Sequence, residues 1–211
     1  NQLGSGTTIL TGTNTYSGMT TVNSGTLVVQ GQSSLGTSSV TVNGGTLVAS
    51  GVFTEFPLAL NAGNMTLTGA GSSWNTGTNT LSVGNSSQGA SVVVEGGASV
   101  VSEGLLALGM NAGASNNSVL VTGSGSSWST AVGNNSSWTV AVGDGLNGVN
   151  SSSNSLVVSN GGQVSATYFY IGNLVGSSNN SVLVTGSDSR LSNTDYVVIG
   201  NSGSGNSLVI S

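Results

Sequence analysis

The sequence predicts an all-β fold: a right-handed parallel β-helix of about eight or nine coils, with three short strands per coil. Three observations lead there. Segments opening at Asn64, Ser91, Ser118, Ser155, Ser181 and Ser207 repeat at spacings of 27, 27, 37, 26 and 26 residues. Within each segment, large apolar residues alternate with small or polar ones at period two, the spacing of a strand with one buried face. Gly and Asn punctuate the strands at fixed places, as turn residues do.

The first sixty residues repeat faster. Thr21-Val22-Asn23-Ser24-Gly25-Thr26-Leu27-Val28-Val29 recurs twenty residues later as Thr41-Val42-Asn43-Gly44-Gly45-Thr46-Leu47-Val48-Ala49. A looser third copy begins at Leu58. Residues 1–63 therefore read as short-period coils, 64–211 as longer ones, and the two as one continuous solenoid.

Each longer coil has three strand segments. The first opens with an apolar triplet whose outer members are always large: Met65 and Leu67, Val92 and Val94, Val119 and Val121, Leu156 and Val158, Val182 and Val184, Leu208 and Ile210. These should point inward. The second segment alternates between two versions, Thr-Gly-x-x-Ser-x-Trp/Leu (68–74, 122–128, 185–191) and a Gly-Gly version (95–100, 160–164). That alternation predicts one internal stack of Trp74, Val100 or Val101, Trp128, Val164 and Leu191. The third segment ends at a Gly. Val83, Leu108, Val142, Ile171 and Ile199 precede it and should be buried, whereas Ser82, Ala107, Ala141, Tyr170 and Val198 should face solvent.

Asn117, Asn154, Asn180 and Asn206 each precede the Ser that opens a coil. Asn tolerates positive φ, and stacked amides can bond from coil to coil. An Asn ladder is expected on that corner. The 37-residue spacing holds about ten extra residues, so an insertion loop is expected near 134–153.

Composition narrows function by exclusion. Charged residues are 3% of the chain, against roughly 25% in ordinary domains. The only basic side chain is Arg190, and the net charge is −5. Nucleic-acid binding needs clustered Lys or Arg and is not expected. No apolar run approaches the roughly 18 residues of a membrane span. His and Cys are absent, which removes most nucleophile–base pairs and zinc sites. The six acids are scattered. Glu95 and Glu103 read as solvated, and Asp188 with Arg190 as a surface ion pair. No catalytic, cofactor-binding or metal-binding residue is expected, and the chain is not expected to be an enzyme. Trp138, Tyr168 and Tyr170 are the candidates for stacking on sugar rings.

Residues 6–27, Gly-Thr-Thr-Ile-Leu-Thr-Gly-Thr-Asn-Thr-Tyr-Ser-Gly-Met-Thr-Thr-Val-Asn-Ser-Gly-Thr-Leu, resemble the autotransporter-associated β-strand repeat, with its LTGxNTYSGxTTVxxGTL pattern. Met19 stands where that pattern usually has Gly. The later coils, with SLVVSNGGQVS and VLVTGSxSxW, are similar to a related repeat of bacterial type V secretion passengers. The resemblance implies a β-helix on a bacterial surface or in the extracellular medium, with no catalytic residues to carry over.

The chain opens Asn-Gln-Leu-Gly, with neither a basic start nor an apolar leader, and reads as a mature or excised piece. At the other end Leu208, Val209 and Ile210 form an apolar strand one step into a sixth long coil. Open solenoid ends invite pairing, and head-to-tail contacts build filaments. The expectation is a non-catalytic structural or adhesive surface rod, stacking end to end on itself or continuing a longer stalk. The alternative is a carbohydrate-binding module, or a lyase-like scaffold, that contacts surface glycans through the 134–153 loop and nearby aromatics.

Overall fold

The computed structural model describes residues 1–37, 39–130, 139–143 and 150–211. The chain winds as a right-handed parallel β-helix, the hand that parallel crossovers adopt almost without exception. Three parallel sheets run its length.

Sheet I has nine strands in the order Thr7–Leu10, Thr26–Gln30, Thr46–Ser50, Asn64–Thr68, Ser91–Glu95, Ser118–Thr122, Ser155–Ser159, Ser181–Thr185 and Ser207–Ile210. Sheet II has eight: Thr20–Val22, Val40–Val42, Leu58–Leu60, Leu81–Val83, Leu106–Leu108, Thr139–Val142, Tyr168–Ile171 and Val197–Ile199. Sheet III has six, from Val52–Phe53 through Ser73–Asn75, Ser99–Ser102, Ser127–Thr130 and Gln163–Ala166 to Arg190–Asn193. One coil before sheet III begins, Gln32–Leu35 forms a 3-10 turn that buries Leu35.

Register is one residue per residue across each sheet. Met65 lies between Leu47 and Val92, and Val119 between Val92 and Leu156. Identical inward positions thus stack on each other, and the core is a thin apolar column from Val22 to Val184. On sheet III, Trp74 pairs with Phe53 and Val100, Trp128 with Val100 and Val164, and Val164 with Leu191. Val100 is the buried member of its pair and Val101 is not. Phe53 and Trp74 stack ring on ring at 4.2 Å, and from Trp74 to Leu191 large and small side chains alternate, which fills the core without overlap.

The change of period is taken up at corners. From sheet II to sheet I, residues 23–25, 43–45 and 61–63 make three-residue turns, and 84–90 makes the first long one. From sheet I to sheet III, Gly51 alone turns the chain, whereas 69–72, 96–98, 123–126, 160–162 and 186–189 alternate between four residues and three. A serine explains the alternation. Ser126 and Ser189, in four-residue corners, accept from the backbone N–H of Gly97 and Gly161 at 3.0 and 3.1 Å. Each donor sits in the three-residue corner of the preceding coil.

Expectations for sheet II fail in two places: Ile199, expected to be buried, is 45% exposed in the last coil, and some outward positions are covered. The outward positions Ser82, Ala107 and Ala141 are 7%, 0% and 2% exposed, so they are covered and not solvated. Tyr170 and Val198, which are larger, stay half-buried. Of the region 134–153, residues 134–138 and 144–149 lie outside the described residues. Between them Thr139–Val142 is a core strand of sheet II, pairing with Leu106–Leu108 and Tyr168–Ile171.

Candidate functional site

Among the described residues, no cluster of three or more Asp or Glu could hold a metal ion. The expected pairing of Asp188 with Arg190 is not formed. Asp188 sits in a turn at φ 63°, while Arg190 belongs to a strand beside Gln163, so the turn carries the carboxylate away. Three other features stand out: a buried amide ladder, a cluster of tyrosines, and apolar strand edges at both ends.

The ladder runs down the corner between sheets II and I. Nδ2 of Asn117 donates to Oδ1 of Asn154 at 2.9 Å, Asn154 to Asn180 at 3.1 Å, and Asn180 to Asn206 at 3.1 Å. Each Oδ1 also accepts a backbone N–H from the coil before it. These donors are Ala90, Asn117, Asn154 and Asn180, at 2.9, 3.1, 2.9 and 2.9 Å. Asn117, Asn154 and Asn180 are fully buried. The left-handed residues of this corner are their predecessors, Asn116, Ser153, Asn179 and Gly205. The ladder asparagines are therefore retained for their amides and not for positive φ, which corrects the reading from sequence. The Gly that closes each sheet II strand makes room for the amide. A Cβ on Gly84, Gly143 or Gly172 would fall inside the side chain of Asn117, Asn180 or Asn206.

A second ladder, unnoticed in the sequence, joins the short coils. Asn43 donates to Asn23 at 2.8 Å and Asn61 to Asn43 at 2.9 Å, both on the exposed surface.

Tyr168 and Tyr170 lie on the last long coils and meet a third tyrosine. The Tyr168 and Tyr196 rings are 4.8 Å apart, tilted by 45°. Tyr170 and Tyr196 meet edge to face at 5.9 Å, with their hydroxyls 2.9 Å apart. Partial burial and the carboxylate of Asp195 hold the Tyr168 phenol above its usual range. Tyr196 stands one coil on at the register position of Tyr168, just before the pair Phe169 and Val197, and that recurrence could have flagged it. Trp138 lies outside the described residues.

At the C-terminal end, Val209 and Ile210 are 48% and 70% exposed, and Leu208 is half-buried. At the N-terminal end Ile9 is 62% exposed. A cavity of about 470 Å³ opens there, lined by Leu10, Tyr16, Met19 and Leu27 among others.

A family model described as the passenger-associated-transport-repeat matches residues 1–29. This is an autotransporter passenger-type repeat. It covers the first strand of sheet I, the first strand of sheet II and the corner 23–25 between sheets II and I, the segment whose sequence carries the LTGTNTYSG motif. A repeat of this type implies a secreted or surface-displayed chain. No curated protein and no solved structure matches the chain.

Proposed function

We propose that the chain is a non-catalytic, extracellular structural or adhesive rod that stacks head to tail. One observation carries the reading. Both end strands belong to the same sheet, Thr7–Leu10 at one edge and Ser207–Ile210 at the other, and both present exposed apolar residues beside an unpaired backbone edge. An edge of this kind accepts a further strand in register. Ser207–Ile210 against Thr7–Leu10 of a second copy would continue sheet I, and such a heterologous contact repeats without closing.

Negative-stain electron microscopy across a dilution series tests it. Nine strands at the ordinary spacing make a rod of about 40 Å. Fibres of constant width that shed such rods on dilution support the reading. Isolated rods at every concentration overturn it.

A second reading places a glycan on Tyr168, Tyr170 and Tyr196. The observation that favours it is the convergence of three rings beside the Asp195 carboxylate, an arrangement that can stack on a sugar and accept its hydroxyls. Glycan-array binding that is lost in Tyr196→Ala supports this reading, and an array without signal removes it.

A further inference from the structure

The outward face of sheet I carries a pattern that the core does not explain. Its central position in successive strands is Ile9, Val28, Val48, Thr66, Val93, Leu120, Val157, Leu183 and Val209. Eight of these nine are aliphatic. They point away from the core, and the seven interior ones are half-exposed. The stripe is flanked by polar rows, mostly Ser and Thr. On one side the row runs from Thr26 to Ser207, on the other from Gln30 to Ser211. The face carries one charge, Glu95. Sheet III is different: its outward positions include Ser73, Asn75, Ser99, Ser127, Ser129, Gln163, Ser165, Arg190 and Ser192.

Several of the flanking groups already bond along the rod. Ser91 donates to Asn64 at 2.7 Å, Ser159 to Thr122 at 3.0 Å and Ser211 to Thr185 at 3.1 Å. A satisfied hydroxyl costs little to cover. The face is thus dry along its centre, internally bonded at its margins and almost uncharged.

We propose that this face pairs laterally with the same face of a second copy, the two rods lying parallel. A partner of opposite charge would find only Glu95 to meet, whereas an aliphatic stripe is complementary to itself. The area suffices. Nine strands by five residues is roughly 38 by 16 Å, or about 600 Å² on each partner, which reaches the lower end of the standard interface near 1,200 Å² in total.

Charge selects the orientation. The strand Ser91–Glu95 is the fifth of nine. A two-fold axis along the strands would reverse the rods and set Glu95 against its own mate. A two-fold axis along the rod keeps the rods parallel and sets Glu95 opposite Ser91. Each stripe residue then faces its counterpart, Val28 on Val28 and Leu183 on Leu183. The pairing needs neither end of the rod, so it stands or falls apart from head-to-tail stacking.

The test uses sedimentation velocity on the 211-residue chain, with Ile210→Lys as the background that blocks end stacking. A concentration-dependent dimer is expected. Val93→Lys with Leu120→Lys should weaken it by about 100-fold or more, because each copy would bring two charges into the interface, and should leave the circular dichroism spectrum unchanged. The chain has no cysteine, so Val28→Cys is a unique reporter. Under mild oxidation it should form a disulfide-linked dimer, whereas Ser165→Cys on sheet III should not. A monomer at every concentration, or a dimer unmoved by the two lysines, overturns the proposal. Val28→Cys that cross-links only to Leu183→Cys overturns the parallel arrangement.

Discussion

Asn154→Ala tests whether the buried ladder holds the coils together. Oδ1 of Asn154 accepts from the backbone N–H and from Nδ2 of Asn117, at 3.1 and 2.9 Å. Its Nδ2 reaches Ala114 O, Ser151 Oγ and Asn180 Oδ1 at 3.2, 3.0 and 3.1 Å. Truncation leaves the Asn117 N–H buried without an acceptor, a loss of about 1–3 kcal/mol. The vacated amide volume adds about 1 kcal/mol. Asn180 and Ser151 keep other partners, so the sum is about 3 kcal/mol. For a chain of this length that lowers Tm by roughly 6–12 °C, at 2–4 °C per kcal/mol. The control is Asn61→Ala in the exposed ladder, expected within about 0.5 kcal/mol of the parent. Thermal unfolding followed by circular dichroism reads both. Equal shifts for the two variants would refute the idea that burial gives the ladder its weight. Asn154→Asp separates hydrogen bonding from volume. Its carboxyl would face Ala114 O and Asn180 Oδ1, which favour the protonated acid and raise its folded pKa. The variant should hold its stability at pH values below the unfolded carboxyl pKa and lose it as pH rises through the raised one.

Three further outcomes are expected. Trp74→Phe should cost about 1–3 kcal/mol more than Trp128→Phe in chemical unfolding, because Nε1 of Trp74 donates to Phe56 O at 2.8 Å while that of Trp128 has no partner among the described residues. Gly143→Ala forces a Cβ into the Asn180 amide at a backbone φ of 67°, and should destabilise by about 2–3 kcal/mol, with Ser165→Ala on the open face as the neutral comparison. Titration by absorbance at 295 nm should show one tyrosine ionising later than the ordinary phenol. Tyr168→Phe should remove that phase and Asp195→Asn should shift it to lower pH, since the carboxylate is among its causes.

The architecture was legible because a β-helix writes its neighbours into the chain at the repeat distance. Met65 and Leu67 were identifiable as core from alternation alone, and the structure stacks them on Val92 and Val94. The recurring Asn before each Ser was visible too, and its stacked amides were expected, but the second reason given for it was wrong. Positive φ belongs to Asn116 and Asn179, one residue earlier, and a turn preference cannot distinguish two adjacent residues that both suit it. Ala107 shows a different limit. Alternation says which way a side chain points and not whether another segment of the chain crosses above it. Tyr196 escaped because it lies just outside the strand Val197–Ile199, although it recurs at the register position of Tyr168. The aliphatic stripe of sheet I was legible in eight of nine copies, Thr66 being the exception.

The amide ladder also sets how the rod responds to load. In a parallel β-helix the backbone hydrogen bonds lie along the axis, so tension on the ends pulls each coil straight away from the next and opens the bonds in sequence. Coils tied by Asn117, Asn154, Asn180 and Asn206 resist through buried amides as well as backbone, while those joined by Asn23, Asn43 and Asn61 have only an exposed row. The rod is therefore mechanically polar. Stretched between two anchors, it peels from the short-period side and leaves the long-period coils wound, a built-in fuse at one end of the molecule.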